Sequence, residues 1–428
     1  MESVRSEADA QQEPSSSSGG MRQVLALALS LSILQIGFGI IMPIFPFYIV
    51  ELGVGATELG ILAASFAIAR IVLAGPLGRL SDRVGRKPVL IFALVGFAAA
   101  NVIYAFANTI LVMIAARMLE GAVSAGFFPA ANAYVSDVTT VENRGKAMGY
   151  LSMGSNVGFV VGPTVGGIMA QFLGFRLPFI IAAGATLFTL LLILVLIHEP
   201  DRHDATREMD TKPAPSLREV FGCNRKAYSV LGFAMFTTMF SIGILEVAFM
   251  IDAVVRLGIT PIEIGAFFGI MGVTMIFGSV IFGSISDRAG RTPLIVIGSF
   301  IGTIAMFMFA LASSFFDLAL AGLVLGIGFS MRGPSIQALI ADLTHPRSYG
   351  VVMGAYGAVS NSAYVVGPLL GGYLYDQQGT SVVSLILGAW VATAGGVAAW
   401  VGLPMSTKPV CETIESESSG ENGSQASD

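Results

Sequence analysis

Charged residues are scarce in this chain. Asp, Glu, Lys and Arg make up 12% of its 428 residues, whereas hydrophobic residues make up 54%. Soluble domains carry roughly a quarter charged residues, so these few charges could not cover a soluble protein of this length. A lipid bilayer provides the apolar solvent that such a chain requires, since each helical span needs about 20 mostly apolar residues. The composition therefore predicts an integral membrane protein.

Cysteine and histidine are also rare. The two cysteines, Cys223 and Cys411, fall in segments that we predict to be cytoplasmic, which excludes a disulfide framework. The three histidines lack the spacing of metal ligands, and the chain has no G-x4-G-K-S/T phosphate-binding loop. We therefore expect no cofactor, no metal site and no enzymatic activity. We also expect no nucleic-acid partner.

Apolar runs between charge and turn signals predict twelve transmembrane helices. The predicted spans lie near residues 23–48, 58–79, 87–107, 109–134, 145–172, 177–198, 227–252, 262–283, 292–313, 316–340, 348–375 and 380–403. The predicted domains are an N-terminal tail (1–20), a six-helix bundle (21–198), a cytoplasmic linker (199–226), a second six-helix bundle (227–403) and an acidic C-terminal tail (404–428). Both tails are polar and poor in apolar residues, so we expect them to be disordered.

The two predicted bundles share an internal repeat. A constant offset of 205 residues, the difference between Asp82 and Asp287, also pairs Arg86 with Arg291 and the Gly162-Pro163 step with a second Gly-Pro step. We therefore predict an all-α membrane protein of twelve transmembrane helices in two pseudo-symmetric six-helix bundles. Structural repeats of this kind place a substrate site near the bilayer midplane at their interface.

The distribution of cationic residues predicts the topology. If both termini are cytoplasmic, 18 of the 23 Lys and Arg residues lie on the cytoplasmic side, as the positive-inside rule requires. We therefore expect a multi-pass protein of the cell membrane with both termini in the cytoplasm.

One loop carries a family signature. After the second predicted span the chain reads Gly78-Arg-Leu-Ser-Asp82-Arg83-Val-Gly85-Arg86-Lys87. This segment resembles the G-x-L-a-D-R-x-G-R-K signature of the major facilitator superfamily. A second copy stands in the repeat, with Gly283, Asp287, Arg288, Gly290 and Arg291 at the matching positions. The resemblance implies the major facilitator fold, transport by alternating access, and a cytoplasmic gate formed by these ten residues.

Further motifs resemble the twelve-helix drug:proton antiporter branch of that family. They are Gly37 to Pro46 in the first span, Arg117-Met-Leu-Glu120-Gly121 in the fourth, and Gly158, Gly162, Pro163, Gly166 and Gly167 in the fifth. Glu120 stands where this branch usually has Gln, and Val123 where it usually has Gly. The resemblance implies that the fifth-span glycines contact the other half. A purely structural packing role is the alternative.

The gate residues have predicted roles. Gly78 and Gly85 would permit close backbone approach and positive φ in a tight turn. We expect Asp82 to face the start of the eleventh span near Tyr349 to Val352, where free amide groups favour an anion. This contact, which the resemblance also implies, would lock the outward-facing state. Alternatively, Asp82 merely stabilises the turn.

Five ionisable residues fall inside predicted spans, and each costs about 2.5–3.5 kcal/mol at a helix centre. They are Arg70, Arg117, Glu120, Glu246 and Arg332. Such groups must pair or face the interior, although Arg332 could snorkel to the cytoplasmic surface. We predict that Glu246, which has no obvious partner in its own helix, carries a proton. Arg117 matches the coupling arginine of the family and would act on Glu120. The alternative is a static Arg117/Glu120 or Arg70/Glu120 pair.

Amide and aromatic side chains within the spans complete the candidate pathway. The amides are Gln35, Asn132, Asn156, Gln337 and Asn361, which would either bind across helices or line a cavity. Phe236, Phe240 and Phe249 would line an apolar drug pocket or, more commonly for phenylalanine, belong to the core.

These features together predict a secondary transporter that exports small amphipathic compounds or drugs in exchange for protons. A metabolite carrier for sugars or organic anions is one alternative, in which Arg70 and Arg117 bind a carboxylate. A non-transporting receptor or assembly factor of the same fold is another. The expected partners are a small-molecule substrate, protons and the lipid bilayer, and we expect a monomer.

Overall fold

The computed structural model describes residues 16–199, 221, 224–344 and 348–403, and this part of the chain is helical with no strands. The predicted C-terminal tail, residues 1–15 of the N-terminal tail, nearly all of the predicted linker, and both cysteines lie outside the described residues. The remaining end of the N-terminal tail differs from the prediction, because the first helix already begins at Ser16.

The helices of the first half occupy every predicted span. They are α1 (Ser16–Ile41), α2 (Phe45–Glu51), α3 (Ala56–Val84), α4 (Arg86–Phe106), α5 (Ile110–Val138), α6 (Val141–Leu173) and α7 (Leu177–Leu196). Several run past the predicted ends on the side with the charged loops. A sequence reading stops a span at its first charges, whereas the backbone hydrogen bonds of a helix continue into the water-facing region.

The second half repeats this order. Its helices are α8 (Arg225–Ile244), a π-helical segment (Leu245–Phe249), α9 (Met250–Val255), α10 (Pro261–Ala289), α11 (Arg291–Leu311), α12 (Phe315–Leu343), α13 (Tyr349–Gln378) and α14 (Val382–Gly402). Within the described residues, eleven spans are long and apolar enough to cross a membrane. The one predicted span that is not among these eleven is the eleventh in chain order, 348–375, which is formed by α13, a helix of 30 residues that include several polar side chains.

The first span of each half is interrupted at the same repeat position. Over the first predicted span, 23–48, α1 ends at Ile41 and α2 starts at Phe45 with Pro46 in its first turn, and together they form one apolar span. Proline cannot donate a backbone hydrogen bond in a helix interior. With the offset of 205 residues, the α1–α2 turn corresponds to the π-helical segment Leu245–Phe249.

Two compact units form the chain. The first contains the described residues up to 199 together with 253–269, and the second contains the remaining described residues. In the first unit, α1 packs mainly against α6 and α7, while α5 packs against α3 and α4. In the second unit, α8 packs against α13 and α14, and α11 packs against α12 and α14. The helix pairing of the first unit is thus largely reproduced in the second.

The gate glycines behave differently from one another. Gly85 (φ 117°) separates α3 from α4, and Gly290 (φ 93°) separates α10 from α11, so a residue with a Cβ would strain either turn. The prediction for Gly78 is wrong, because Gly78 lies within α3 and a Cβ there would meet no atom of the described residues within 4 Å. The helix continues through Gly78 to Val84, so the tight turn needs only one glycine.

Candidate functional site

A cavity of about 280 Å³ lies within the first unit. Its lining comes from five helices and consists of Leu34, Gln35, Phe38, Phe66, Arg70, Phe97, Ser124, Phe128 and Phe159. Five of these nine side chains are phenylalanines. The cavity therefore combines aromatic walls with three polar side chains, the usual composition of a small-molecule site.

Arg70 is the charged residue of this cavity. Its guanidinium lies 5.7 Å from the ring centroid of Phe128, within cation–π range. None of the ion pairs within the described residues includes Arg70. The predicted alternative of a static Arg70/Glu120 pair is therefore wrong, because Glu120 binds another arginine.

A buried ion pair stands behind two of the cavity walls. Arg117 Nη1 donates to Glu120 Oε2 over 2.7 Å, and the two side chains are 3% and 1% exposed. The Tyr104 hydroxyl donates to the same oxygen over 3.0 Å. The guanidinium of Arg117 also lies 5.5 Å from the ring centroid of Phe38 and 4.7 Å from that of Phe66. Both rings line the cavity, so the pair and the cavity share a wall.

Glu246 has a partner from another helix. It belongs to the π-helical segment, and the Tyr364 hydroxyl of α13 donates to its carboxylate. Six residues further on, Asp252 is 1% exposed and accepts a hydrogen bond of 2.8 Å from Ser381. Sequence reasoning missed Asp252 because the predicted span ends at this residue, and a charge at the end of a span has a small free-energy cost of insertion.

Arg332 does not snorkel, contrary to the prediction. Its side chain is 5% exposed and donates to the carbonyl of Ala234 and, over 3.2 Å, to Thr237 Oγ1. Counting residues along the helix gave the depth of Arg332, but its side chain points into the second unit, where a carbonyl and a hydroxyl replace water.

The two gate motifs form matching ionic clusters. In the first, Arg86 binds Asp82 at 2.6 Å and Asp137 at 3.2 Å. In the second, Arg291 binds Asp287 and Asp342 in the same way. The side chain of Asp82 is 66% exposed. Its expected contact with Tyr349 to Val352 would join residues of different units and stays a prediction. Arg83 and Arg288 are exposed at these same helix ends.

Three of the fifth-span glycines pack against α1 of their own half. A Cβ on Gly158, Gly162 or Gly166 would overlap the backbone of α1, so these residues allow α6 to approach that helix closely. The implied contact of this face with the other half is therefore wrong for these glycines. Gly167, on another face of α6, adjoins Pro261 and Gly265 at the start of α10, a helix of the second half, so the structure contains the implied contact for this glycine. Pro163 contacts Gly39.

The candidate amides are dispersed. Gln35 lines the cavity, whereas Asn132, Asn156 and Gln337 are exposed on their units. Asn361 donates to Gly357 of its own helix over 2.7 Å and thus does not bind across helices in this contact.

Two of the three phenylalanines considered for a pocket belong to the core of the second unit. Phe240 and Phe249 are buried in the second unit, 6% and 2% exposed, which agrees with the core alternative. The cavity phenylalanines carry no distinguishing local signal, because the rotation of each helix about its axis decides which rings converge. Within the described residues, no cluster of three or more His, Cys, Asp or Glu could hold a metal ion.

Comparison with known families resolves the class of this protein. The sequence model described as Major Facilitator Superfamily matches residues 27–249 and 229–416, which is most of the chain. The chain belongs to the Major Facilitator Superfamily. It is therefore a multi-pass membrane transporter for a small molecule and not an enzyme, as predicted.

Two resistance proteins and a symporter are among the known proteins similar to this chain. Multidrug resistance protein 2 of Bacillus subtilis (strain 168) is 27% identical over 357 residues, covering 82% of this chain and 88% of that protein. Quinolone resistance protein NorA of Staphylococcus aureus (strain Mu50 / ATCC 700699) is 23% identical over 374 residues, covering 87% and 94%. The structure of a D-xylose-proton symporter matches with a TM-score of 0.73 and 19% identity, covering 90% of this chain and 99% of that one. This structural likeness shows the fold alone.

Proposed function

We propose that this transporter exports small amphipathic compounds in exchange for protons by alternating access. The observation that carries the proposal is the aromatic cavity of the first unit, in which five phenylalanines surround a few polar groups. Such walls bind apolar rings of varied shape, while the polar groups orient one end of the compound. The similarity to Multidrug resistance protein 2 and to Quinolone resistance protein NorA supports drug-like compounds as the substrates.

Glu246 is the proposed proton carrier. Its carboxylate lies within a span, on a π-helical segment, and such segments occur often at functional sites. Glu120 is less suited to this role. The side chain of Arg117 is 3% exposed, and protonation of Glu120 would leave the Arg117 guanidinium without its counter-charge. We therefore assign Arg117, Glu120 and Tyr104 a static role that supports the cavity wall.

One proton is sufficient for useful export. A proton crossing roughly 100 mV releases about 2.3 kcal/mol. This free energy supports about a fifty-fold gradient of a neutral solute. No nucleotide-driven step is needed.

The proposal is tested in lipid vesicles that contain the purified protein and a pH-sensitive dye. A library of amphipathic compounds should include members whose movement displaces protons. Glu246→Gln should abolish proton movement while leaving the exchange of labelled for unlabelled substrate. Glu51→Gln, which alters an exposed carboxylate at the end of α2, is the matched control and should behave like the unmodified protein. Retained coupling in Glu246→Gln would remove this residue from the mechanism.

A metabolite carrier is the second candidate. It is favoured by the presence of Arg70 in the cavity without an ion-pair partner in the described residues. Uphill uptake of a sugar or a small acid in the same vesicles would favour this candidate. If no compound is transported and none causes proton movement, the result would favour a receptor or assembly factor.

A further inference from the structure

Two polar side chains converge on the aromatic cavity with no protein partner in the described residues. Arg70 makes a cation–π contact with Phe128 and no hydrogen bond or ion pair there. The amide of Gln35, from a different helix, likewise makes no hydrogen bond within the described chain. Ser124, the third polar group, donates its hydroxyl to the carbonyl of Gly121 over 2.8 Å and keeps its lone pairs as acceptors.

The charge of this cavity is positive. Arg117 stands behind the Phe38 and Phe66 walls, but Glu120 neutralises it at 2.7 Å. Arg70 keeps its charge without a fixed anion among the described residues. An isolated charge inside a membrane-spanning bundle is costly, and a bound anion removes that cost. A cationic compound would instead be repelled by the guanidinium at close range.

The shape of the groups specifies which anion fits. A guanidinium presents a planar fork of donors that matches the two oxygens of a carboxylate. The Gln35 amide can donate a further hydrogen bond to the same group. The phenylalanines favour an aromatic ring by stacked or edge-to-face contact. A volume of about 280 Å³ is at the small end of the range for ligand pockets, which suits one or two rings.

We propose that this cavity binds a small aromatic carboxylate, with the carboxylate on Arg70 and Gln35 and the ring among the phenylalanines. The inference rests on the proposed function, since it names the substrate class of the same exporter. It differs from the alternative in which Arg70 and Arg117 together bind an acid, because Arg117 is already bound by Glu120.

The first test measures equilibrium binding to the purified full-length protein in detergent, at neutral pH and without any gradient. The probes share one ring system: 2-naphthoate, 2-naphthamide and 2-naphthylmethylammonium. Labelled 2-naphthoate should bind saturably, the amide should compete more weakly, and the ammonium compound should compete least. Equal competition by all three probes, or tighter binding of the ammonium compound, would overturn the inference. This test needs only the unmodified protein.

The second test changes the arginine. Arg70→Gln should weaken 2-naphthoate binding by about ten- to a hundredfold, since a hydrogen bond to a charged group is lost. Affinity for 2-naphthamide should change much less. Arg70→Lys keeps the charge without the fork and should give an intermediate affinity. Arg176→Gln, which removes an exposed cation outside the cavity, should leave binding unchanged.

Folding is controlled in the same samples. Monodisperse elution and retained 2-naphthamide binding show that a variant is intact, and if Arg70→Gln does not fold, Arg70→Lys and the probe series still decide. An unchanged 2-naphthoate affinity in Arg70→Gln contradicts the inference. The two proposals can also be contradicted separately. Binding of 2-naphthoate without proton movement in vesicles contradicts only proton-coupled export. Export of cationic or neutral compounds without 2-naphthoate binding contradicts only the carboxylate site.

Discussion

The Arg117–Glu120 pair brings two opposite charges together at 2.7 Å inside a membrane-spanning helix. Each charge alone would cost about 2.5–3.5 kcal/mol at the centre of a span. The two residues are three positions apart, so they lie on the same face of α5, and the Tyr104 hydroxyl from α4 fixes the carboxylate further. Each charge is therefore neutralised by the other where these helices meet, and neither is left unpaired in the span.

At this residue scale we predict a stability effect. Glu120→Leu should lower stability by about 3–5 kcal/mol, because a buried charge loses its counter-charge. The double variant Arg117→Met with Glu120→Leu should recover most of that loss. Both are measured as the apparent melting temperature of the detergent-solubilised protein. A double variant no more stable than Glu120→Leu alone would contradict a structural role for the pair.

Side-chain partners were harder to predict than side-chain depth. The sequence identified Arg117 and Glu120 as candidates for a pair, because their spacing places them on one helix face. It could not identify Tyr364 as the partner of Glu246, since the two residues are 118 positions apart and join different helices. Arg70 was noticed as a buried charge, but its phenylalanine neighbours come from helices whose rotation an almost uniformly apolar sequence does not specify.

The α1–α6 contact depends on small residues. Gly158, Gly162 and Gly166 recur every four positions along α6 and lie against the backbone of α1. In lipid no hydrophobic force drives helices together, so close packing of this kind must supply the association. The spacing of these glycines was visible in the sequence, but which helix they meet was not.

At the element scale, Gly162→Leu should disrupt the α1–α6 packing. The new side chain would overlap the backbone near Ile36 and Gly39, and overpacking costs about 1–3 kcal/mol or more. Gly149→Leu is the matched control, because this glycine lies on the same helix with no atom within 4 Å of its Cβ position. The readouts are melting temperature and the monodisperse fraction on size exclusion. Equal behaviour of the two variants would contradict the close-packing explanation.

The internal repeat of the chain extends to individual side-chain contacts. The Arg86 cluster with Asp82 and Asp137 has its counterpart around Arg291. The sequence predicted this correspondence through the constant offset, because charged motifs in loops are easy to align. The first span of the second half is interrupted in a different way from that of the first half. This π-helical interruption was not predictable, since Leu245 to Phe249 contain neither Pro nor Gly.

At the scale of the whole molecule, we predict that the linker between the two halves and the C-terminal tail share the cytoplasmic side of the membrane. A membrane-impermeant maleimide should not label Cys223 or Cys411 in intact cells, but should label both after permeabilisation. Arg176→Cys, in a loop predicted to be external, should be labelled in intact cells and serves as the control. Labelling of the two native cysteines from opposite sides would require an odd number of crossings and contradict the topology.

The π-helical segment has a geometric consequence for its span. A π turn contains one more residue than an α turn, and one residue of α-helix corresponds to about 100° of rotation. If Leu245–Phe249 changed to ordinary α-helical geometry, α9 would rotate about the helix axis by that angle relative to α8. Glu246 and Asp252 are six residues apart, about 9 Å of helical rise. Such a rotation would change the angle between them, so the hydrogen bonds to Tyr364 and Ser381 could not both persist without movement of their helices.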